Sequence, residues 1–67
     1  MKITLNNRDE YFEEDDLTIS RIMEIRSFKF RMLVVRLNDK PVRKEDYSVT
    51  TVKDGDDLKI IHLVSGG

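Results

Sequence analysis

Cysteine is absent from this chain, which rules out disulfides, thiolate metal sites and cysteine nucleophiles together. Small secreted domains more often carry cysteines. Long apolar runs are missing too. No stretch approaches membrane-spanning length, and Met1-Lys2-Ile3-Thr4-Leu5 lacks the apolar segment of a signal peptide. These absences predict a soluble, cytoplasmic protein with no membrane partner. Charge of one sign is not in excess: the net charge of −1 argues against attraction of the whole domain to nucleic acid. Histidine occurs once, as His62, and metal or nucleophilic sites need several such groups converging. A structural role is expected for it, and no metal site. Gly55 is isolated in sequence, so no glycine-rich phosphate loop exists.

What is present suffices for one small domain. A chain of 67 residues lies near the lower size limit for folding without a disulfide. Its 39% hydrophobic content, set against 37% charged, is enough to build a core and to exclude a disordered chain.

Lys2-Ile3-Thr4-Leu5 alternates as a strand with one buried face. Asn6-Asn7 then supplies residues that tolerate the left-handed conformations of a tight hairpin. The return strand is predicted over 9–13, with Tyr11 and Phe12 as its apolar mass. The acidic run 13–16 breaks the pattern. Thr18 is placed to N-cap a short helix running to about Arg26, with Leu17 and Ile22 at the spacing of a hydrophobic staple. Ile19, Ile22, Met23 and Ile25 fall on its core side. In the segment 27–31, at least one of Phe28 and Phe30 is expected to close the bottom of the core.

Residues 32–37 form a strand in which Leu33, Val35 and Leu37 share one face, Val34 and Arg36 the other. Asn38-Asp39 is a second hairpin turn, and a short return strand over 40–43 contains Pro41, which marks a sheet edge. A single helical turn over 44–47, an irregular or briefly extended stretch over 48–52 and a turn at Asp54-Gly55-Asp56 lead to the last strand. There Leu58 and Ile60 point one way, Lys59, Ile61 and Leu63 the other, and His62 takes the inward phase. One helix and four to five strands, with the last strand parallel to the first, give an α+β, ubiquitin-like β-grasp. The helix covers one face of its mixed sheet.

The acidic residues Asp9, Glu10, Glu13, Glu14, Asp15 and Asp16 are expected to form a solvated, exposed cluster, which does not split carboxylate pKa values as acid–base catalysis requires. The expected sites lie elsewhere. Val34, Arg36, Lys59, Ile61 and Leu63 share the uncovered face, an apolar group rimmed by bases that suits a protein-docking surface. Beyond a domain of 1–64, residues Ser65, Gly66 and Gly67 read as a tail, since glycine has no side chain to pack and is costly to order. Most chain ends are merely frayed. Beside a docking face, a thin tail with one carboxylate describes a carrier.

Several segments together resemble the ThiS family of sulfur carriers of thiamine biosynthesis. They are Met1-Lys2-Ile3-Thr4-Leu5-Asn6, Leu17-Thr18-Ile19, Leu37-Asn38, Val42-Arg43-Lys44-Glu45-Asp46-Tyr47, Asp54-Gly55-Asp56 and the closing Gly66-Gly67. The last of these is the specific part. Asp39 stands where that family often has glycine, and Arg43 where it often has proline. The resemblance implies a non-enzyme that binds no cofactor. An adenylating enzyme of the ThiF type would use ATP to activate the Gly67 carboxylate. A cysteine desulfurase relay would convert the adenylate to a thiocarboxylate, and thiazole synthase would consume it. Related carriers for molybdopterin or another sulfur-containing metabolite share this ending. A β-grasp interaction module without carrier activity, and a modifier joined to lysines, are the other readings.

Overall fold

The computed structural model describes residues 1–28 and 32–63. The expectations placed on Phe30, Ser65, Gly66 and Gly67 lie outside the described residues. The described residues form seven strands and one helix: β1 (Lys2–Leu5), β2 (Arg8–Tyr11), β3 (Asp16–Thr18), α1 (Ile19–Ile25), β4 (Leu33–Leu37), β5 (Lys40–Val42), β6 (Thr51–Lys53) and β7 (Asp57–His62), with a 3₁₀ turn at Lys44–Asp46. Five strands make one mixed sheet in the order β2-β1-β7-β4-β5. The β1–β7 pair is parallel and its neighbours are antiparallel.

Both hairpins have the anticipated turns. Asn6 and Asn7 take φ of 51° and 67°, and Asn38 and Asp39 repeat these values. Two consecutive left-handed residues are the type I′ geometry, whose twist matches that of the flanking strands. Asn6 and Asn38 also use their side-chain amides, and both reach β7. Asn38 Oδ1 accepts from the Asp57 N–H at 2.9 Å, and Asn6 Oδ1 from the Ile60 N–H at 2.8 Å.

Thr18 caps α1, its hydroxyl accepting from the Arg21 N–H at 3.2 Å. The helix ends with Ser27 at φ 60°. The Phe28 N–H bonds the Met23 carbonyl at 2.8 Å and the Ser27 N–H the Glu24 carbonyl at 3.2 Å, the paired bonds of a Schellman stop. This turn directs Phe28 onto the core, as expected of one of the two rings. Ile3, Ile19, Ile22, Val35, Val52, Leu58 and Ile60, each no more than 2% exposed, form the centre of that core between helix and sheet.

Three expectations require correction. The second strand ends at Tyr11, and only Phe12 enters the core; Tyr11 is 68% exposed. The register sets this choice. Ile3 lies opposite Glu10, and alternation then turns Phe12 inward and Tyr11 outward. Glu10 tolerates that phase because Arg26 bonds its carboxylate at 2.8 Å while stacking over the Phe12 ring at 4.5 Å. Second, residues 16–18 form a strand that was not anticipated: with 51–53, where the brief extension expected within 48–52 is formed, they make a separate two-stranded sheet, Leu17 opposite Val52 and both buried. Third, His62 has the inward phase yet is exposed, at the last position of β7.

Candidate functional site: the open face of the sheet

The helix and the small β3–β6 sheet leave the other face of the large sheet uncovered, and its centre is the β4–β7 pair. Val34 lies directly opposite Ile61, and Arg36 opposite Lys59. Directly opposed residues share a face. The predicted residues Val34, Arg36, Lys59, Ile61 and Leu63 are therefore brought together. Val34 is 37% exposed, Ile61 46% and Leu63 44%. Met32 belongs with them and was not anticipated. It is 53% exposed and its carbonyl accepts from the Leu63 N–H at 2.9 Å, which continues the β4–β7 register by one more pair. Carrying the two-residue period of Val34 and Arg36 back by one step would have found it.

The result is an apolar stripe of Met32, Val34, Ile61 and Leu63 with two cations across one end. Like charges directly opposed on a sheet repel, and each is restrained by its own acceptor. Arg36 Nη2 donates to the Asp39 carbonyl at 2.8 Å, and Lys59 Nζ to Asp57 Oδ2 at 3.1 Å. Asp57 Oδ1 is buried without a hydrogen-bond partner. The surface offers apolar contact area plus positive charge, a combination suited to docking another protein.

Alternative sites are poorly furnished. Among the described residues no group of three or more His, Asp or Glu is placed to hold a metal ion. A shallow cleft lies between the β1–β2 turn and the end of α1, lined by Leu5, Asn6, Arg8, Glu10, Arg26 and Phe28. Its Arg26 and Glu10 are paired with each other, and nothing in it resembles a nucleophile with a base. Among the described residues no helix is long and apolar enough to cross a membrane. Burial, and secondarily the Glu45 carboxylate, push the Tyr47 phenol above its usual 10.0. It lies beside the 3₁₀ turn and packs on the core, away from the open face.

A mixed five-stranded sheet with β1 and β7 parallel at its centre and a helix across one face is the ubiquitin-like β-grasp. Within that class the sequence profile of the ThiS family matches residues 3–67, and the chain belongs to that family. It is 28% identical over 65 residues to the sulfur carrier protein ThiS of Bacillus subtilis (strain 168), covering 97% of this chain and 98% of that one. Among solved structures it resembles the crystal structure of the thiamine biosynthesis protein ThiS from Geobacter metallireducens. The TM-score is 0.89 at 25% identity, with all of both chains covered. The solution structure of a thiamine biosynthesis protein from the same organism gives a TM-score of 0.76 at 25% identity, covering 100% of this chain and 88% of that one.

Proposed function

We propose that the protein is a sulfur carrier of thiamine biosynthesis and that its reactive group is the carboxylate of Gly67. The observation that carries this reading is the family match, which spans 3–67 and so takes in Gly66-Gly67. The end-to-end likeness to a sulfur carrier protein supports it, as does an apolar, basic-rimmed face on the same strand that leads toward the tail.

A carboxylate is a poor electrophile at neutral pH. Attack of a Gly67 carboxylate oxygen on the α-phosphorus of ATP releases pyrophosphate and leaves an acyl-adenylate whose AMP departs readily. A sulfur nucleophile from a persulfide relay then forms the C–S bond as the C–O bond to AMP breaks. Reductive cleavage of the resulting acyl disulfide by a thiol frees the thiocarboxylate. Glycine suits the position because no Cβ shields the acyl carbon. In this reading the chain is the substrate of an adenylating enzyme and the sulfur donor to a thiazole-forming enzyme. The ATP belongs to the adenylating partner.

Incubation with an adenylating enzyme, ATP and a persulfide donor, followed by intact mass measurement, tests the reading. Exchange of one oxygen for sulfur at Gly67 is expected. Attachment to protein lysines after adenylation would instead indicate a modifier, and an unchanged mass would leave an interaction module. Transfer of the sulfur to a molybdopterin precursor and not to a thiazole would move the carrier to a related pathway.

A further inference from the structure

β7 is supported unevenly along its length. On one side β4 accompanies it throughout, from Leu37 opposite Leu58 to Leu33 opposite His62. On the other side β1 supplies two residues, Thr4 opposite Asp57 and Leu5 opposite Leu58, and then turns away at Asn6-Asn7. The backbone of Ile60 would be left at an open edge there. Asn6 prevents this. Its N–H donates to the Leu58 carbonyl at 3.0 Å. Its side-chain Oδ1 accepts from the Ile60 N–H at 2.8 Å, and its Nδ2 donates to the Ile60 carbonyl at 3.1 Å.

The amide thus stands in for a further residue of parallel strand while the backbone is already in its turn. Few side chains can do this. Aspartate lacks the donor, glutamine is a methylene longer, and the φ of 51° favours Asn or Gly over most other types. Asn38 makes an informative comparison. It has the same φ of 51° at the same place in the same turn type. Its amide also holds β7, but at the opposite end, accepting from the Asp57 N–H at 2.9 Å and donating to Asp56 Oδ1 at 3.0 Å.

We infer that Asn6 is a positioning residue for the carrier reaction: by bridging both backbone groups of Ile60 it fixes the course of β7 from Ile60 to His62, on which presentation of Gly67 to the adenylating enzyme depends. The inference rests on the carrier reading of Gly67. Asn6 acts on the reaction through β7, not by touching the reacting atoms. When the bridge is lost, a smaller fraction of molecules holds the exit strand in the productive orientation. Apparent affinity falls by that fraction, and turnover of correctly bound molecules is unchanged.

The test compares Asn6→Gly with Asn38→Gly, since glycine keeps the left-handed turn and removes only the amide. Adenylation is followed by ATP–pyrophosphate exchange with the adenylating enzyme, and hydrogen exchange is read at the Ile60 amide. Asn6→Gly should speed Ile60 exchange about tenfold and raise the KM for the carrier roughly five- to tenfold, the scale of one or two hydrogen bonds, with kcat within about twofold. Asn38→Gly, with a comparable loss of melting temperature, should leave both quantities within about twofold of the parent. Equal KM for the two variants would overturn the inference. So would a raised KM with Ile60 exchange unchanged, which would mean that Asn6 touches the enzyme itself. If the parent chain is not adenylated at all, the carrier reading fails and this inference with it.

Discussion

Ile60 and Ile61 are adjacent in sequence and chemically identical, yet the structure assigns them opposite duties. Ile60 is 2% exposed in the core and Ile61 is 46% exposed on the open face. A domain of this size is expected to be stable by only about 3–10 kcal/mol. Ile60→Ala should remove about 2–4 kcal/mol of that, combining lost burial with a cavity. Ile61→Asp should cost about 1 kcal/mol or less, the span of strand preference at an exposed site. In a docked complex the order reverses. The aspartate would bring an unpartnered carboxylate under the partner and forfeit the apolar contact, about 2 kcal/mol or more, which is roughly a thirtyfold loss of affinity. Urea denaturation and titration calorimetry against the adenylating enzyme measure the two effects separately. Val34→Asp, directly across the strand pair, should behave as Ile61→Asp does. Unchanged affinity for both variants would show that docking uses another surface. Unfolding of Ile61→Asp would show that this face is covered by the protein itself.

Three further outcomes are expected. Gly67→Ala should lower kcat/KM for adenylation roughly tenfold or more, since an added methyl at a closely fitted reacting centre is penalised on that scale. Its melting temperature should match the parent's, and equal activation of the two chains would count against Gly67 as the reactive position. Ser27→Gly should stabilise the fold by about 0.5–1 kcal/mol, because φ of 60° at the helix stop strains a residue with a Cβ; a lower denaturation midpoint would refute this. Tyr47 has its pKa raised by burial and then by Glu45, so the folded state holds the phenolic proton more tightly than the unfolded chain. That contribution is complete below the ordinary value of 10.0 and is lost as pH rises through the folded value. Tyr47→Phe should flatten the alkaline limb of the stability profile, measured by denaturation at pH values either side of 10.0.

Much of this architecture was legible because it is encoded locally. Asn6-Asn7 and Asn38-Asp39 announce left-handed turns, Thr18 stands before an apolar helical stripe, and the alternation through β4 and β7 separates a core face from an open one. That last separation yields the open-face residues without knowledge of the partner strand, since period two depends on the pleat alone. The failures depend on distant events. A three-residue strand such as β3 has too few positions to show a period. It exists because Thr51–Lys53, more than thirty residues later, lies beside it. Tyr11 and Phe12 differ in fate because of register with β1, and the anomaly of an inward-phased Glu10 is resolved only by Arg26 arriving from the helix. His62 carries the correct phase, but phase says nothing about whether a position at the strand's end is covered.

The placement of apolar and charged groups across the sheet also selects the mode of docking. A small sheet with bare edges could accept a partner's strand by backbone pairing. Both edges of this one discourage that. At one side β2 presents Arg8, Asp9 and Glu10, with Arg26 donating to the Tyr11 carbonyl at 3.3 Å. At the other, β5 is three residues long with Pro41 at its middle, which cannot donate to an added ladder. The apolar stripe sits instead on the central strands, where Val35 and Arg36 of β4 are paired with β7 on one side and β5 on the other. In the proposed docking mode a partner would meet side chains on the face and not the sheet's edges. Docking of that kind would leave β7 undisturbed in its pairing with β4. A strand added beside β7 beyond the end of β1 would compete for the Ile60 backbone groups that Asn6 now bridges, so the Asn6 amide discourages strand addition there as the charged and proline-bearing edges do at β2 and β5.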